Sequence, residues 1–239
     1  MATVYADTTD GYVASAVQGG PTWTSVRDAG TGTAANNTLS RSSFSVYVHG
    51  STSRGGSYQV WRSFFAFDTS GITSALSSAT LKIHGFSRNA GDVIAVRATA
   101  PDLTTGIAVA DFDAIHGFVA GASMNGNATD YSAEISTWST SGYNDFTLTA
   151  DALSEMVSES IFKVAVVNYD YDYLNVDPTF AAGVADYNGC FFANASFAQR
   201  PYIDYTLAGY PNAVNGVATG DIGSIIGVDT ADIDKVIGS

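Results

Sequence analysis

The sequence predicts an all-β fold: a jelly-roll-like β-sandwich with one short helix, followed by a C-terminal repeat tail of short helical turns. Three observations carry this. Residues 57–86 hold successive strands of different kinds, the first apolar on both faces and the second on a single face. In the body, only 149–158 shows a clear helical i, i+3, i+4 spacing of apolar residues. Elsewhere small polar turns of Gly, Ser, Thr and Asn separate short apolar stretches, as they do in sandwiches and barrels.

The first strand of the central pair sends Trp61, Phe65 and Phe67 one way and Tyr58, Val60, Phe64 and Ala66 the other, so it needs cover on both faces. The second alternates Ala79, Leu81 and Ile83 with Thr80, Lys82 and His84. Sheets packed face to face satisfy both patterns.

In chain order, residues 3–6 and 12–17 read as short strands. Between them Asp7-Thr8-Thr9-Asp10-Gly11 reads as a turn whose side chains bond their own backbone. The Asp pair also invites a calcium reading, but only two carboxylates are local where calcium takes about six or more oxygens, so turn chemistry is preferred. Residues 22–27, with Trp23, read as a strand, 28–40 as a polar loop, 44–48 as a strand and 50–56 as a loop. After the central pair, 92–98 sets Val93, Ala95 and Arg97 against Ile94, Val96 and Ala98, and Pro101 ends the run because proline cannot donate to a ladder. A short helical turn at 111–116 and a long connection at 117–130 follow. Tyr131, Ala133 and Ile135 share one strand face, and Phe146 and Leu148 another. In the helix, Leu153, Met156 and Val157 form the apolar stripe, and Thr149 or Asp151 caps the start. Strands at 160–167, 190–194 and 202–207 complete the sheets, the last with Ile203, Tyr205 and Leu207 facing inward.

The motifs Arg62-Ser63-Phe64-Phe65-Ala66-Phe67-Asp68, Ser78-Ala79-Thr80-Leu81, the Thr149-capped helix and Arg200-Pro201-Tyr202-Ile203-Asp204-Tyr205 occur in that order. In this order they resemble the DNRLRE-type β-sandwich domains across residues 2–208, although no DNRLRE hexapeptide occurs. The resemblance implies a jelly roll of the sort found in surface proteins, some of them carbohydrate-binding, and in phage structural proteins.

Composition limits the function classes. A net charge of −13 with ten Lys and Arg in all leaves no basic patch for nucleic acid, and an anionic membrane surface would repel the chain. No run is long enough to cross a bilayer, and residues 1–13 show neither the basic nor the apolar region of a Sec-type signal. Cys190 is the single cysteine, so an intrachain disulfide is excluded and a buried structural role is expected. His49, His84 and His116 lie in unrelated segments, and no metal-ligand spacing, GxSxG, P-loop or dinucleotide fingerprint occurs. We therefore expect no catalysis, no cofactor and no metal.

The run Tyr169-Asp170-Tyr171-Asp172-Tyr173 is the candidate glycan contact. In an extended chain Tyr169, Tyr171 and Tyr173 share a face for stacking on sugar rings, and Asp172 accepts from hydroxyls. The competing reading is a strand extension whose tyrosines pack on the sandwich edge.

The domain organisation expected is a sandwich at 1–208, a linker at 209–216 and two 11-residue docking repeats at 217–239. Residues 217–227 (VATGDIGSIIG) and 228–238 (VDTADIDKVIG) align without a gap. Thr219 and Thr230 suit N-caps, Asp221 and Asp232 the first turn, and Gly227 and Gly238 the C′ position. The apolar faces are Ile222, Ile225 and Ile226, then Ile233, Val236 and Ile237. Turns this short cannot bury such faces alone, so they are expected to dock, either on their own sandwich as a C-terminal latch or into another copy or another virion protein, with assembly the preferred reading. The repeat also resembles the Val-Asn-Gly-Val-type repeats of phage virion proteins.

The expectation is a non-enzymatic phage virion protein, a capsid decoration, fibre or tail component, assembled in the host cytoplasm and released by lysis. Its partners would be other virion proteins and further copies of itself, a trimer being one form of that homo-oligomer. The alternative is a carbohydrate-binding module of a surface protein or enzyme, with a surface glycan as partner.

Overall fold

The structure, a computed structural model, describes residues 2–180, 183, 185–209, 224–225 and 228–229. The chain enters through β1 (Ala2–Tyr5) and β2 (Gly11–Gln18), makes a short helix α1 (Trp23–Arg27), and continues through β3 (Ala34–Asn36), β4 (Arg41–Ser51), β5 (Ser57–Asp68), β6 (Leu76–Asn89) and β7 (Val93–Arg97). A long irregular segment leads to β8 (Tyr143–Thr147), helix α2 (Ala150–Ser158), β9 (Ile161–Asn168), β10 (Ala185–Phe191) and β11 (Tyr202–Leu207).

All of these strands pair antiparallel, and together they form the expected all-β sandwich. A small sheet runs β1-β11-β6-β8. A larger one runs β10-β4-β5-β2-β3, with β9 and then β7 added along the second half of β5. The fourteen-residue β6 belongs to both. Up to His84 it pairs with β11 and β8, and from Gly85 onward with β10. The switch needs glycine: a Cβ on Gly85 would lie 1.8 Å from the Ser139 carbonyl oxygen, which crosses the strand there. A register shift at Gly189/Cys190 on the facing strand completes the bend.

β5 is covered on both faces, as its pattern predicts. Phe65 and Phe67 meet Leu81, Ile83, Phe146, Ile203 and Met156 in the core between the sheets. Tyr58, Val60 and Phe64 face a second core, closed by Trp23 and Val26 of α1 and by Ile107, Phe112, Ile115 and Met124 of the irregular segment. A fully buried phenylalanine or leucine contributes about 1.5–3 kcal/mol over leaving it in water, so each cover is a large part of the stability. The α2 boundaries agree with its cap. Thr149 Oγ1 accepts the Ala152 N–H at 3.4 Å, and Met156 is buried while Leu153 and Val157 are half-buried.

Other expectations are corrected. Residues 22–27 form a helix and not a strand, because Thr22 and Ser25 make a capping box: each hydroxyl accepts the other's backbone N–H at 3.1 Å. Trp23 and Val26 then lie at i, i+3 and drop together into the second core. Residues 131–135 form no strand but an irregular seam on β7, in which Val93 and Ile135 exchange backbone hydrogen bonds at 3.1 and 2.8 Å. Leu207 is exposed, and Tyr205 is only half-buried. In the tail, β12 (Ser224–Ile225) pairs antiparallel with β13 (Val228–Asp229), where helical turns were expected. Ile225 and Val228 are β-branched, and the residues 226–227 between them make a connection of hairpin length, so strand propensity competes with the caps. Ile222, Ile226, Ile233, Val236 and Ile237 lie outside the described residues.

Candidate functional site

The tyrosine run is not extended. Asn168 Oδ1 accepts the Tyr171 N–H at 2.9 Å, and the Leu174 N–H reaches the Tyr169 carbonyl at 3.1 Å, so 169–173 closes into a wide helical turn. The turn separates the side chains. Tyr169 and Tyr171 remain half-buried at the surface, while Asp172 and Tyr173 are 0% and 2% exposed. Tyr173 stacks on Tyr169 at 5.2 Å and donates its hydroxyl to Asp130 Oδ2 at 2.8 Å.

Asp172 joins a buried charge network that the sequence reading missed. Arg62 lies in the middle of β5, on the face of Val60 and Phe64, and donates to both Asp172 oxygens at 2.7 Å. It also donates to the carbonyls of Phe112 (2.8 Å) and Arg27 (3.0 Å). Arg27 donates to the Asp172 carbonyl (3.1 and 2.9 Å), to the Ala122 carbonyl (2.9 Å) and to Asp28 Oδ1 (2.6 Å). The Arg62 guanidinium lies 4.2 Å from the Phe112 ring centroid, and both arginines lie over the Phe118 ring. Arg27, Arg62 and Asp172 are fully buried, and their donors and acceptors answer one another. The network ties the irregular cover to the sheet. The signal available in the sequence was an arginine inside an otherwise apolar central strand.

A different set of rings lies at the surface, half-buried to exposed except for Tyr47, which is 8% exposed. Beyond the edge of the small sheet, the face of β5 that buries Phe65 and Phe67 carries Trp61 half-exposed. Across neighbouring strands, Tyr187 of β10, Tyr47 of β4 and Trp61 of β5 stand opposite one another in register. Tyr12 of β2 stacks on Trp61 at 4.5 Å and 28°. Phe44, 40% exposed, meets Tyr47 at 4.8 Å, Tyr187 at 5.2 Å and Trp61 at 5.9 Å. Burial pushes the Tyr47 hydroxyl up to about 12, so it stays a neutral donor across the ordinary pH range. A terrace of rings edged with hydroxyls can stack on sugar C–H faces or seat a protein partner. The sequence hid it because its members lie on four strands.

Beside the tyrosine turn, burial first and then the neighbouring carboxylates raise Glu134, Asp170 and Asp186 above their ordinary carboxylate values, so these acids and Asp92 draw together there. Among the described residues no cluster of three or more His, Cys, Asp or Glu is placed to hold a metal, and no helix is long and apolar enough to cross a membrane. Cys190 is buried, and burial pushes its thiol up to about 12, which leaves it unreactive. Asp10 is fully buried: Oδ2 accepts the Ala193 N–H at 2.9 Å, and Oδ1 has no hydrogen-bond partner. Burial drives its carboxyl well above the ordinary value, offset in part by the Ala193 N–H and by Arg200. The chain matches no family model and no curated protein.

Proposed function

We propose that the protein is a non-enzymatic phage virion component, a capsid decoration, fibre or tail subunit, whose sandwich body is carried into a larger assembly by its C-terminal repeats. The observation that carries this is the ungapped repeat of 217–227 in 228–238, with its conserved spacing of Val, Thr, Asp, Ile and Gly. Within the body, both cores are assembled from positions between 4 and 205 among the described residues, so the body closes its interior with its own strands. The resemblance of the body to DNRLRE-type sandwiches, and of the repeat to those of virion proteins, supports the same reading. Partners are then further copies of the chain and neighbouring virion proteins.

Light scattering at several concentrations, on the full chain and on a chain ending at Leu207, tests it. The expected result is an oligomer that becomes a folded monomer on truncation. Folded monomers from both chains would overturn the reading.

The aromatic terrace favours a second reading, a module that binds neutral glycans. Under it, Phe44→Ala and Trp61→Ala abolish glycan-array binding in a chain that stays folded, and Tyr171→Ala leaves binding intact.

A further inference from the structure

The tail leaves the body beside an apolar groove. Ala150, Leu153 and Val157 of α2 form one wall, and Ala75 and Leu76 at the start of β6 form the other, with Ser154 and Ser158 on the rim and a volume of about 470 Å³. Leu153 and Val157, a turn apart, each press one side on the main core and leave the other to the groove. The last strand ends at the same place: Leu207 stands opposite Leu76, and the Ala208 N–H donates to the Ala75 carbonyl at 2.7 Å.

From this geometry we infer that the groove is the seat of the chain's own first repeat, residues 217–227. The chain following Ala208 starts at the groove's edge, and the eight residues 209–216 separate it from the repeat. Eight residues, taken as a random coil, span about 16 Å on average, enough to turn back onto a site this close. The tether holds the repeat at an effective concentration in the millimolar range, which a free copy in dilute solution does not match. The chemistry also fits. The repeat brings Ile222, Ile225 and Ile226 to a groove walled by Ala, Leu and Val, and no charged residue lines it. Residues 224–225 of the first repeat pair with 228–229 of the second, so seating the first holds the start of the second at the groove and leaves 230–238 to reach a neighbouring molecule. The inference adds an anchoring step to the assembly reading but does not require it.

Cysteine cross-linking in the full chain tests this. Cys190 is buried and stays silent. The pair Ser154→Cys/Ser224→Cys places one thiol on the groove rim and one within the repeat; both replace small polar residues and leave the cores untouched. The control pair Ser78→Cys/Ser224→Cys uses an exposed residue that alternates with the buried Ala79 and does not line the groove. Under mild oxidation the groove pair is expected to close within one chain roughly tenfold faster than the control or more, and Ile222→Asp with Ile225→Asp removes the difference. Equal rates for both pairs overturn the inference. A cross-linked dimer in place of the monomer also overturns it, and gives the groove to a second copy. Either failure leaves the truncation experiment to judge the assembly reading by itself.

Discussion

The central sheet is covered twice, by different means. On one face lies another sheet, and the contact is hydrocarbon: Phe65 and Phe67 against Leu81, Ile83, Phe146 and Ile203. On the other lie α1 and the irregular segment around 107–124, and that contact is held by Arg27, Arg62 and Asp172 as well as by apolar side chains. The difference follows from where backbone hydrogen bonds go. A sheet satisfies its own N–H and C=O groups along the ladder, so apolar complementarity is enough to pack it. An irregular cover arrives with unanswered carbonyls, which are costly to bury. Here the carbonyls of Arg27, Phe112, Ala122 and Asp172 all accept from the two guanidinium groups. The arginines are the hydrogen-bonding counterpart of the missing strands, and Asp172 and Asp28 together balance their charge.

The sharpest way to break this comparison is Asp172→Ala, which leaves the buried Arg62 without its carboxylate while Arg27 keeps Asp28. Denaturant unfolding should show a loss of about 3–5 kcal/mol, and hydrogen exchange should show 107–124 opening before the small sheet. A loss spread evenly over both covers would mean that the network does not pin the irregular one. On the hydrocarbon side, Leu81→Ala should cost about 2–5 kcal/mol through the cavity it leaves, with protection lost first in β6 and β11. A weaker test is Thr149→Ala, which removes the α2 cap at a cost of about 1 kcal/mol and should fray only the first turn of that helix.

The finest distinction is between paired and unpaired buried carboxylates. Asp10 abuts the hydrocarbon core with one oxygen unanswered, and burial holds its folded pKa well above the ordinary value of 3.8. Between the unfolded and folded values the native state keeps a proton that the unfolded chain has released. Its contribution is therefore fully present below the unfolded value, falls as pH rises through the window, and is flat above the folded value. Asp10→Asn keeps an acceptor for the Ala193 N–H and should remove that slope. Equal pH profiles for variant and parent would show that Asp10 gains no proton on folding.

Much of the fold was legible because its causes are local. The two-faced pattern of β5, the alternation of β6 and the Thr149 cap of α2 are each written within a dozen or so residues. The helix at Trp23 is also local in its cause, the capping box of Thr22 with Ser25, a signal that the strand reading of 22–27 left out. The tyrosine run was misread for a different reason. The Asn168 side chain caps the turn, and nothing within 169–173 shows that Asp172 will meet an arginine 110 residues earlier in the chain.

The sequence by itself therefore determined the β class, the central strand that requires two covers, the one well-formed helix and the repeat in the tail, since periodicity and caps act between near neighbours. Tertiary structure alone decided which covers lie on which face, that Asp172 is a structural ion and not a surface ligand, and that Tyr12, Phe44, Tyr47, Trp61 and Tyr187 form one terrace. Those outcomes depend on strand register between distant segments, and register is set by the whole sheet, not by any stretch of chain within it.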